Sequence, residues 1–516
     1  MRLTFKELKD QIAKVVPRDI PYSVELEAGN IAIVTPVPAK FGGGDGLIGK
    51  IAKRVKRKIV LRPDESIMKS EEEAKKLVHE IVPEEAEITN LYFDSCYREI
   101  IIQCMNPGEA VGRRGANLNA IRDQTGWLVK VERTSPIISK TVHDIRGYRQ
   151  ANATERRKLL KDFGLNIHRP QRPGAAWARV TALGSYREVG RACHFVTTNE
   201  SRVMIDVGVN IASDTDPMPY FTAPEALPLE KLDAVVLTHS HLDHAGMLPV
   251  LFKYGYRGPV YCTPPTRDLM LLLQTDYLKV GGSEGKRAPY DMEDIRTCMK
   301  HVVDVNWGET TDIAPDIKLT FSNAGHILGS SAVHLHIGDG KHNIVFSGDQ
   351  KYEKSWLFDA ANTRFPRVET LVIESTYGAS GDYQPSRQEA NQELQDIVSR
   401  TIARGGKLIC PVFAVGRSQE VMIAIDELFR SGQVKPVPVW LDGMIQEATA
   451  IHASHPDYLT SSLRKSLLKD DGENPFTSEW FRPVKGRELR ESIIMDNSPC
   501  IVLATSGMLN LSLIHI

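Results

Sequence analysis

The sequence predicts a mixed α/β protein of several domains, with two small α/β modules followed by a larger strand-rich unit. Three observations carry this. The first 135 residues alternate helical periodicity with short apolar strands. From Ala178 onward, apolar runs of strand length recur. Several of those runs end in residues that carry chemistry, above all Thr238-His239-Ser240-His241-Leu242-Asp243-His244. At 516 residues the chain exceeds one ordinary core. Its formal net charge is −1, and no apolar run reaches the length of a bilayer span. No signal peptide opens the chain, so a cytoplasmic protein without a membrane partner is expected. The seven cysteines are scattered and form no C-x-x-C, which excludes a strong cysteine zinc site and fits a reducing compartment.

In the first module, Ile31–Pro36 reads as a strand and Ile59–Leu61 as a closing strand. Between them, Gly46-Leu47-Ile48-Gly49 precedes a basic helix carrying Lys50, Lys53, Arg54, Lys56, Arg57 and Lys58. Leu47 and Ile48 stand where a phosphate-binding turn would carry polar residues, so they suit packing. Gly42-Gly43-Gly44 lacks the lysine and serine of a phosphate loop and reads as a flexible turn. The second module is clearer. Ser70–Ile81 is helical, Ala86–Cys104 alternates like a hairpin, Ala116–Thr125 is helical, and Leu128–Val131 is a strand. The turn Gly112-Arg113-Arg114-Gly115 sits between two helices in an α-β-β-α-α-β order. This resembles a type II KH domain. The resemblance implies that Gly112 and Gly115 let the chain approach single-stranded RNA while Arg113 and Arg114 supply charge. The first module resembles a second KH-like unit.

Residues 136–175 read as a basic connector. Residues 1–62 hold 13 Lys/Arg against 6 Asp/Glu, and residues 136–175 hold 9 against 3, so both stretches fit either polyanion binding or a solvated face. His168–Gly174 is a Pro/Arg-rich turn.

The chemistry lies beyond Ala178. Leu232–Leu237 reads as a buried strand that delivers His239, His241, Asp243 and His244 at its end. Imidazole nitrogen and carboxylate oxygen at this density are zinc ligands. Asp206 ends an earlier strand and fits a carboxylate that orients a ligand histidine. His326 and Asp349 flank further strands.

In that order these residues resemble the metallo-β-lactamase superfamily. The resemblance implies a four-layer αββα sandwich and two zinc ions. His239, His241 and His326 would hold one, Asp243 and His244 the other, and Asp349 would bridge them. Such a pair activates a hydroxide and stabilises both oxygens of a displacement. Val372-Ile373-Glu374-Ser375-Thr376-Tyr377-Gly378 and Pro411–Glu420, with Gly416-Arg417-Ser418-Gln419-Glu420 opening a helix, resemble the β-CASP branch that acts on nucleic acids. Glu374 matches an acidic motif residue of that branch, and the resemblance places Arg417 in the cap domain that closes over the metals, as a candidate RNA contact. Asp206, Asp243 and Glu374 are thus the candidate catalytic residues.

KH-like modules ahead of a β-CASP nuclease resemble the archaeal cleavage and polyadenylation specificity factor-like ribonucleases, also described as transcription termination factors. That implies zinc-dependent endonucleolytic cleavage of single-stranded RNA, 5′ to 3′ exonuclease action, RNA polymerase and elongation factors as partners, and a homodimer. The expected boundaries are 1–66 and 67–135 for the KH-like modules, 136–175 for the linker, 176–380 for the sandwich portion and 381–516 for the β-CASP portion. Family members continue past Ala504–Asn510, and two of their active-site histidines come from that continuation. Here the only later histidine is His515, within Leu511–Ile516, which resembles translated adapter sequence. The expectation is a truncated reading frame, a second zinc site lacking its last histidine, and impaired cutting. Three rivals stand beside the ribonuclease. A small-molecule hydrolase conflicts with the KH-like modules, and an RNA-binding subunit with a dead core conflicts with the intact ligand set. A DNA-directed β-CASP nuclease is separated only by comparing RNA with DNA substrates.

Overall fold

The computed structural model describes residues 3–42, 46–171, 177–213, 215–283, 288–468 and 474–505. The expectations placed on Gly43, Gly44, Arg172–Gly174 and everything from Ser506 to Ile516, His515 included, lie outside the described residues.

The first module contains α1 (Phe5–Ala13), β1 (Ser23–Glu27), β2 (Asn30–Thr35), α2 (Leu47–Val55) and β3 (Ile59–Pro63). Helix α1 starts where Thr4 and Glu7 cap each other's backbone amides. β1 and β2 pair antiparallel, and β3 adds parallel to β2. Leu8, Ile12, Ile31, Ile33, Phe41 and Ile51 form the core. The segment Gly46–Gly49 does not precede α2 as a loop, because Leu47–Gly49 are its first turn. Leu47 and Ile48 pack on the module's core.

The second module contains α3 (Glu71–Ile81), β4 (Ile88–Asp94), β5 (Glu99–Cys104), α4 (Pro107–Val111), α5 (Ala116–Thr125) and β6 (Leu128–Arg133). It repeats the sheet plan of the first, an antiparallel pair extended by a parallel strand. Between α4 and α5 the backbone turns left-handed at Gly112 (φ 72°), Arg114 (φ 53°) and Gly115 (φ 77°). Arg113 and Arg114 are exposed there.

The connector is not a plain linker. It forms α6 (Lys140–Ala151) and α7 (Ala153–Ile167), and its described arginines face protein while Lys140, Lys158 and Lys161 are exposed. Arg146 pairs with Glu132 (2.6 Å), Arg149 with Asp304 (2.6 Å), Arg169 with Asp233 (2.7 Å) and Arg157 with Glu65. Arg156 is 1% exposed, under Tyr97. The basic run after α2 behaves likewise. The helix stops at Val55, Arg57 pairs with Asp312 at 3.0 Å, and Lys58 pairs with Glu309. Composition showed the charge but not its distant partners.

The sandwich follows. Its first sheet uses β7 (Ala178–Gly184), β8 (Cys193–Thr198), β9 (Arg202–Ile205) and β10 (Ala234–Val236). After helices α8 (Leu242–Ala245) and α9 (Leu248–Lys253) come β11 (Val260–Cys262), α10 (Pro264–Ser283), α11 (Met292–His301) and β12 (Val302–Asp304). The spatial order is β12-β11-β10-β9-β8-β7. The second sheet runs in chain order through β13 (Thr310–Ala314), β14 (Ile317–Asn323), β15 (Ser331–Ile337), β16 (His342–Phe346) and β17 (Thr370–Val372). Ile205, Val236 and Tyr261 of one sheet meet Phe321, Leu335 and Phe346 of the other. The opposite face of the first sheet packs on Leu248, Leu251, Met270 and Ile295 of the helices.

The last region contains α12 (Arg387–Ala403), β18 (Lys407–Pro411), α13 (Arg417–Arg430), β19 (Val439–Asp442), α14 (Ile445–Ser454), α15 (Ser461–Leu468), β20 (Phe481–Pro483), α16 (Gly486–Met495) and β21 (Cys500–Ala504). Its sheet is parallel throughout, in the order β18-β21-β19-β20. Leu269 and Leu273 of α10, together with Ile327 and Leu328, share its core, so this cap is fused to the sandwich by apolar packing. Among the described residues no helix is long and apolar enough to cross a membrane.

Burial holds His301 at a pKa of about 4, although its hydrogen bond to Gly258 O acts the other way. A depressed histidine stabilises the fold above its unfolded value of 6.5, and that contribution is lost as pH falls through about 4. His301→Gln is expected to flatten the dependence of unfolding free energy on pH between those limits by up to about 1.4 kcal/mol per pH unit, one proton's worth. Urea unfolding at pH 7, 6 and 5 measures it, and an unchanged slope refutes it.

Candidate metal centre

The centre is assembled at the C-terminal ends of β9 and β10. β9 stops at Ile205, and Asp206 turns into the left-handed region (φ 61°) while 1% exposed. Its carboxylate accepts from Thr238 N and Thr238 Oγ1, both at 2.7 Å, and meets His244 Nδ1 at 2.8 Å. One buried group therefore fixes the loop after β10 and the tautomer of His244. The chain after Asp206 then hydrogen-bonds to α8 from below. Val207 N donates to His244 O (2.7 Å), Val209 N to Leu242 O (2.9 Å), and Ala192 N to Asp243 O (2.8 Å). Gly208 lies so close that a Cβ there would overlap the Asp243 carbonyl.

His326 is presented by the turn between β14 and β15, its amide donating to Ser330 Oγ at 3.1 Å. Asp349 follows β16. His239 Nε2 and His326 Nε2 each stand 3.1 Å from His241 Nδ1. Asp349 Oδ2 lies 3.5 Å from His326 Nε2 and 3.9 Å from His239 Nε2. Its other oxygen lies 3.2 Å from His244 Nε2, which is 3.9 Å from Asp243 Oδ2. Two ligand groups result: His239, His241, His326 and Asp349; and Asp243, His244 and Asp349. Within each, the candidate ligand atoms all lie within 4.8 Å of one another.

These groups fit a metal ion. A tetrahedral ion with bonds of about 2.0–2.1 Å spaces its ligand atoms about 3.3–3.4 Å apart, close to the spacing of the imidazole nitrogens. Three imidazole nitrogens converging on one point can offer their lone pairs to a single cation. Burial holds His239 well below the ordinary histidine range, with the neighbouring His244 acting the same way. Burial likewise lowers His241, and it lowers His326 to about 3 with help from His241. Neutral imidazoles are the form that binds metal. His244 is the opposite case. Burial opposes its charge, but Asp349, Asp206 and Asp243 outweigh burial and raise it well above the ordinary range. Asp349 is held far below the carboxylate range, since His244, His239 and His326 overcome its burial.

All six expected ligands and Asp206 are thus brought together. Glu374 joins neither group: its amide donates to Ser347 Oγ (3.1 Å) and its carboxylate accepts from Thr376 N (2.9 Å). Arg417 opens α13 at the cap's edge, near enough for its charge to oppose protonation of His241 and His326. Gly112–Gly115 stand apart, in the second module. Sequence reasoning missed Thr238, whose only signal is its place before the first histidine. It also missed Asp268, fully buried between Arg267 Nε (2.6 Å) and His455 Nε2 (2.7 Å) of the cap.

This geometry on two facing sheets defines a metallo-β-lactamase-type protein with a β-CASP cap. The metallo-beta-lactamase superfamily profile matches residues 186–396 and the Beta-Casp domain profile matches residues 418–515. The profile described as "Transcription termination factor FttA, KH domain" matches residues 2–68. Proteins named transcription termination factor FttA are similar over nearly the whole chain. The Methanosarcina mazei protein is 50% identical, covering 98% of this chain and 79% of the relative. The Methanothermobacter thermautotrophicus protein is 47% identical and the Pyrococcus abyssi protein 45%, each with the same two coverages. The chain belongs to the transcription termination factor FttA family.

Asp206→Ala removes the partner of Thr238 N, Thr238 Oγ1 and His244 Nδ1 together. The expected outcome is about 10- to 100-fold weaker metal retention at the Asp243–His244 group. Competition with a graded chelator, read as metal per chain, measures it. Retention equal to wild type would show that His244 needs no such support.

Proposed function

We propose that this protein is a zinc-dependent ribonuclease that cuts single-stranded RNA during transcript 3′-end formation and transcription termination. The observation that carries the proposal is the pair of ligand groups sharing Asp349. The donor set supports zinc, which takes imidazole nitrogen and carboxylate oxygen in small tetrahedral sites. His239, His241 and His326 would hold one ion and Asp243 and His244 the other, with Asp349 between them. Bound there, a zinc pair supplies a nucleophile at neutral pH and charge stabilisation for both oxygens of a phosphodiester displacement.

The protein's own residues do the rest. Asp206 orients His244 and keeps the first metal loop rigid. Arg417 places a positive charge where a phosphate enters. Glu374 would act on the leaving-group side. The turn Gly112–Gly115, with Arg113 and Arg114, would hold the backbone of the same strand upstream or downstream of the cut. The segments assigned to these tasks are 1–66 and 67–135 for RNA contact, 136–175 for connection, 176–380 for the metals and 381–516 for the cap. The relatives' name, transcription termination factor, supports action in transcription; RNA polymerase and elongation factors would be the partners, in the cytoplasm. Endonuclease action with a 5′ to 3′ exonuclease mode, and a homodimeric assembly, complete the proposal.

The test is cleavage of 5′-labelled single-stranded RNA with added zinc. Internal cuts are expected from wild type, at an impaired rate. The His239→Ala, Asp243→Ala double variant is expected to lose activity by about 10³-fold or more, beyond the loss of a single preorganised electrostatic group. Binding without cutting by wild type would favour an RNA-binding subunit instead. Equal cutting of a matched DNA strand would favour a nuclease of broader specificity.

A further inference from the structure

Two cations, Lys351 and Arg417, stand at the seam between sandwich and cap, and Lys351 has no part in the site described above. Lys351 stands two residues beyond Asp349. Its backbone is clamped on both sides: its amide donates to Ala324 O and its carbonyl accepts from Ala361 N, each at 2.9 Å. The same carbonyl lies against Gly325, which precedes His326. Lys351 is half-buried, and among the described residues its ammonium has no hydrogen-bond or ion-pair partner. Glu353 and Glu420 are the acidic groups near enough to act on it, and Glu420 is engaged by Leu357 N at 3.1 Å.

Arg417 faces this position from the cap. Gly416 before it packs on the neighbour of His326, since a Cβ there would stand 2.9 Å from Ile327 Cγ2. The Glu420–Leu357 bond fastens the first turn of α13 to the strap that begins at Lys351. The charge of Arg417 acts on His241, His326 and Lys351 alike, so it stands near both the metal centre and the lysine. Its guanidinium also lacks a hydrogen-bond or ion-pair partner among the described residues. Arg387 continues the rim, held over Trp356 at 5.2 Å and donating to Lys354 O at 2.7 Å.

Two like charges brought by different domains to one edge repel each other, and an anion between them relieves that repulsion. The anion that the ribonuclease reading supplies is a chain of phosphates, one at the metals and the next beside them. We infer that Lys351 and Arg417 form a backbone-phosphate subsite that grips the phosphate adjacent to the scissile one. Lys351 is the sandwich's contribution to it, and this inference rests on the ribonuclease reading. A phosphate contact sets the register of the strand without reading its bases.

Single-turnover cleavage of 5′-labelled single-stranded RNA over a salt series tests it, comparing wild type with Lys351→Gln, Lys351→Arg and Lys354→Gln. Lys354 is a nearby lysine paired with Asp359 at 3.1 Å. Lys351→Gln is expected to raise the half-saturating concentration roughly tenfold, the scale of one charge-assisted hydrogen bond. The rate at saturation should change little. Losing one phosphate contact should also lower the salt slope by about 0.7, so the defect shrinks about 2.5-fold between roughly 0.05 and 0.2 M salt. Lys351→Arg should restore most of the affinity, and Lys354→Gln should match wild type. If wild type cuts RNA and Lys351→Gln alters neither half-saturation nor salt slope, the subsite is overturned while the nuclease reading stands. A loss confined to the saturating rate and not rescued by arginine also overturns it. A wild-type protein that leaves RNA intact overturns the nuclease reading and the subsite with it.

Discussion

The buried carboxylate of Asp206 is the constraint on which the rest of the site depends. A charge at 1% exposure is tolerable only with full hydrogen bonding. Thr238 N, Thr238 Oγ1 and His244 Nδ1 provide that, each within 2.8 Å. A non-glycine residue in the left-handed region persists only where its surroundings over-determine it, and Asp206 is such a residue. Its three bonds set the path of the loop carrying His239 and His241 and the direction of His244. Asp349 and His326 then arrive from the second sheet onto a frame already fixed by the first.

The domains are joined by buried polar pairs as well as by a shared core. Glu447 of α14 accepts from Ser139 Oγ (2.6 Å) and Thr141 N (2.8 Å), so the cap supplies a carboxylate to the start of α6. Arg149 of α6 and Arg267 of α10 both reach Asp304 at 2.6 Å. Asp268 beside Arg267 takes His455 from the cap; despite its burial, the Arg267 charge and the hydrogen bond with His455 hold its carboxyl well below the ordinary range. Apolar packing alone tolerates sliding, whereas these bonds demand one relative orientation. Through Arg146 and Glu132 the same helix α6 also holds the second small α/β module.

Local signals were legible in the sequence. The helical period of Ser70–Ile81 marked α3, the G-x-x-G marked the turn between α4 and α5, and the apolar run before Thr238 marked β10. All six metal-directed side chains could be picked out because their strands end in them. What escaped detection was long-range. Arg57 with Asp312 and Arg149 with Asp304 look like free basic charge until the fold pairs them. The helix start at Leu47 was displaced because Gly46–Gly49 looked like a turn, while apolar packing drew Leu47 and Ile48 into the helix. The position of Glu374 relative to the centre had no local signal at all.

The strand order of the cap has a consequence for how the protein is made. Its sheet places β21, the last of the described strands, between β18 and β19, with Lys407 opposite Cys500 and Val439 opposite Ile501. The two halves of that sheet have no hydrogen-bonded edge in common until Cys500–Ala504 has left the ribosome. The metal-directed loops, by contrast, are complete in sequence once Asp349 has emerged. Synthesis therefore supplies these loops before the strand that joins the two halves of the cap's sheet, and parallel pairing between sequence-distant strands is of the kind that forms slowly.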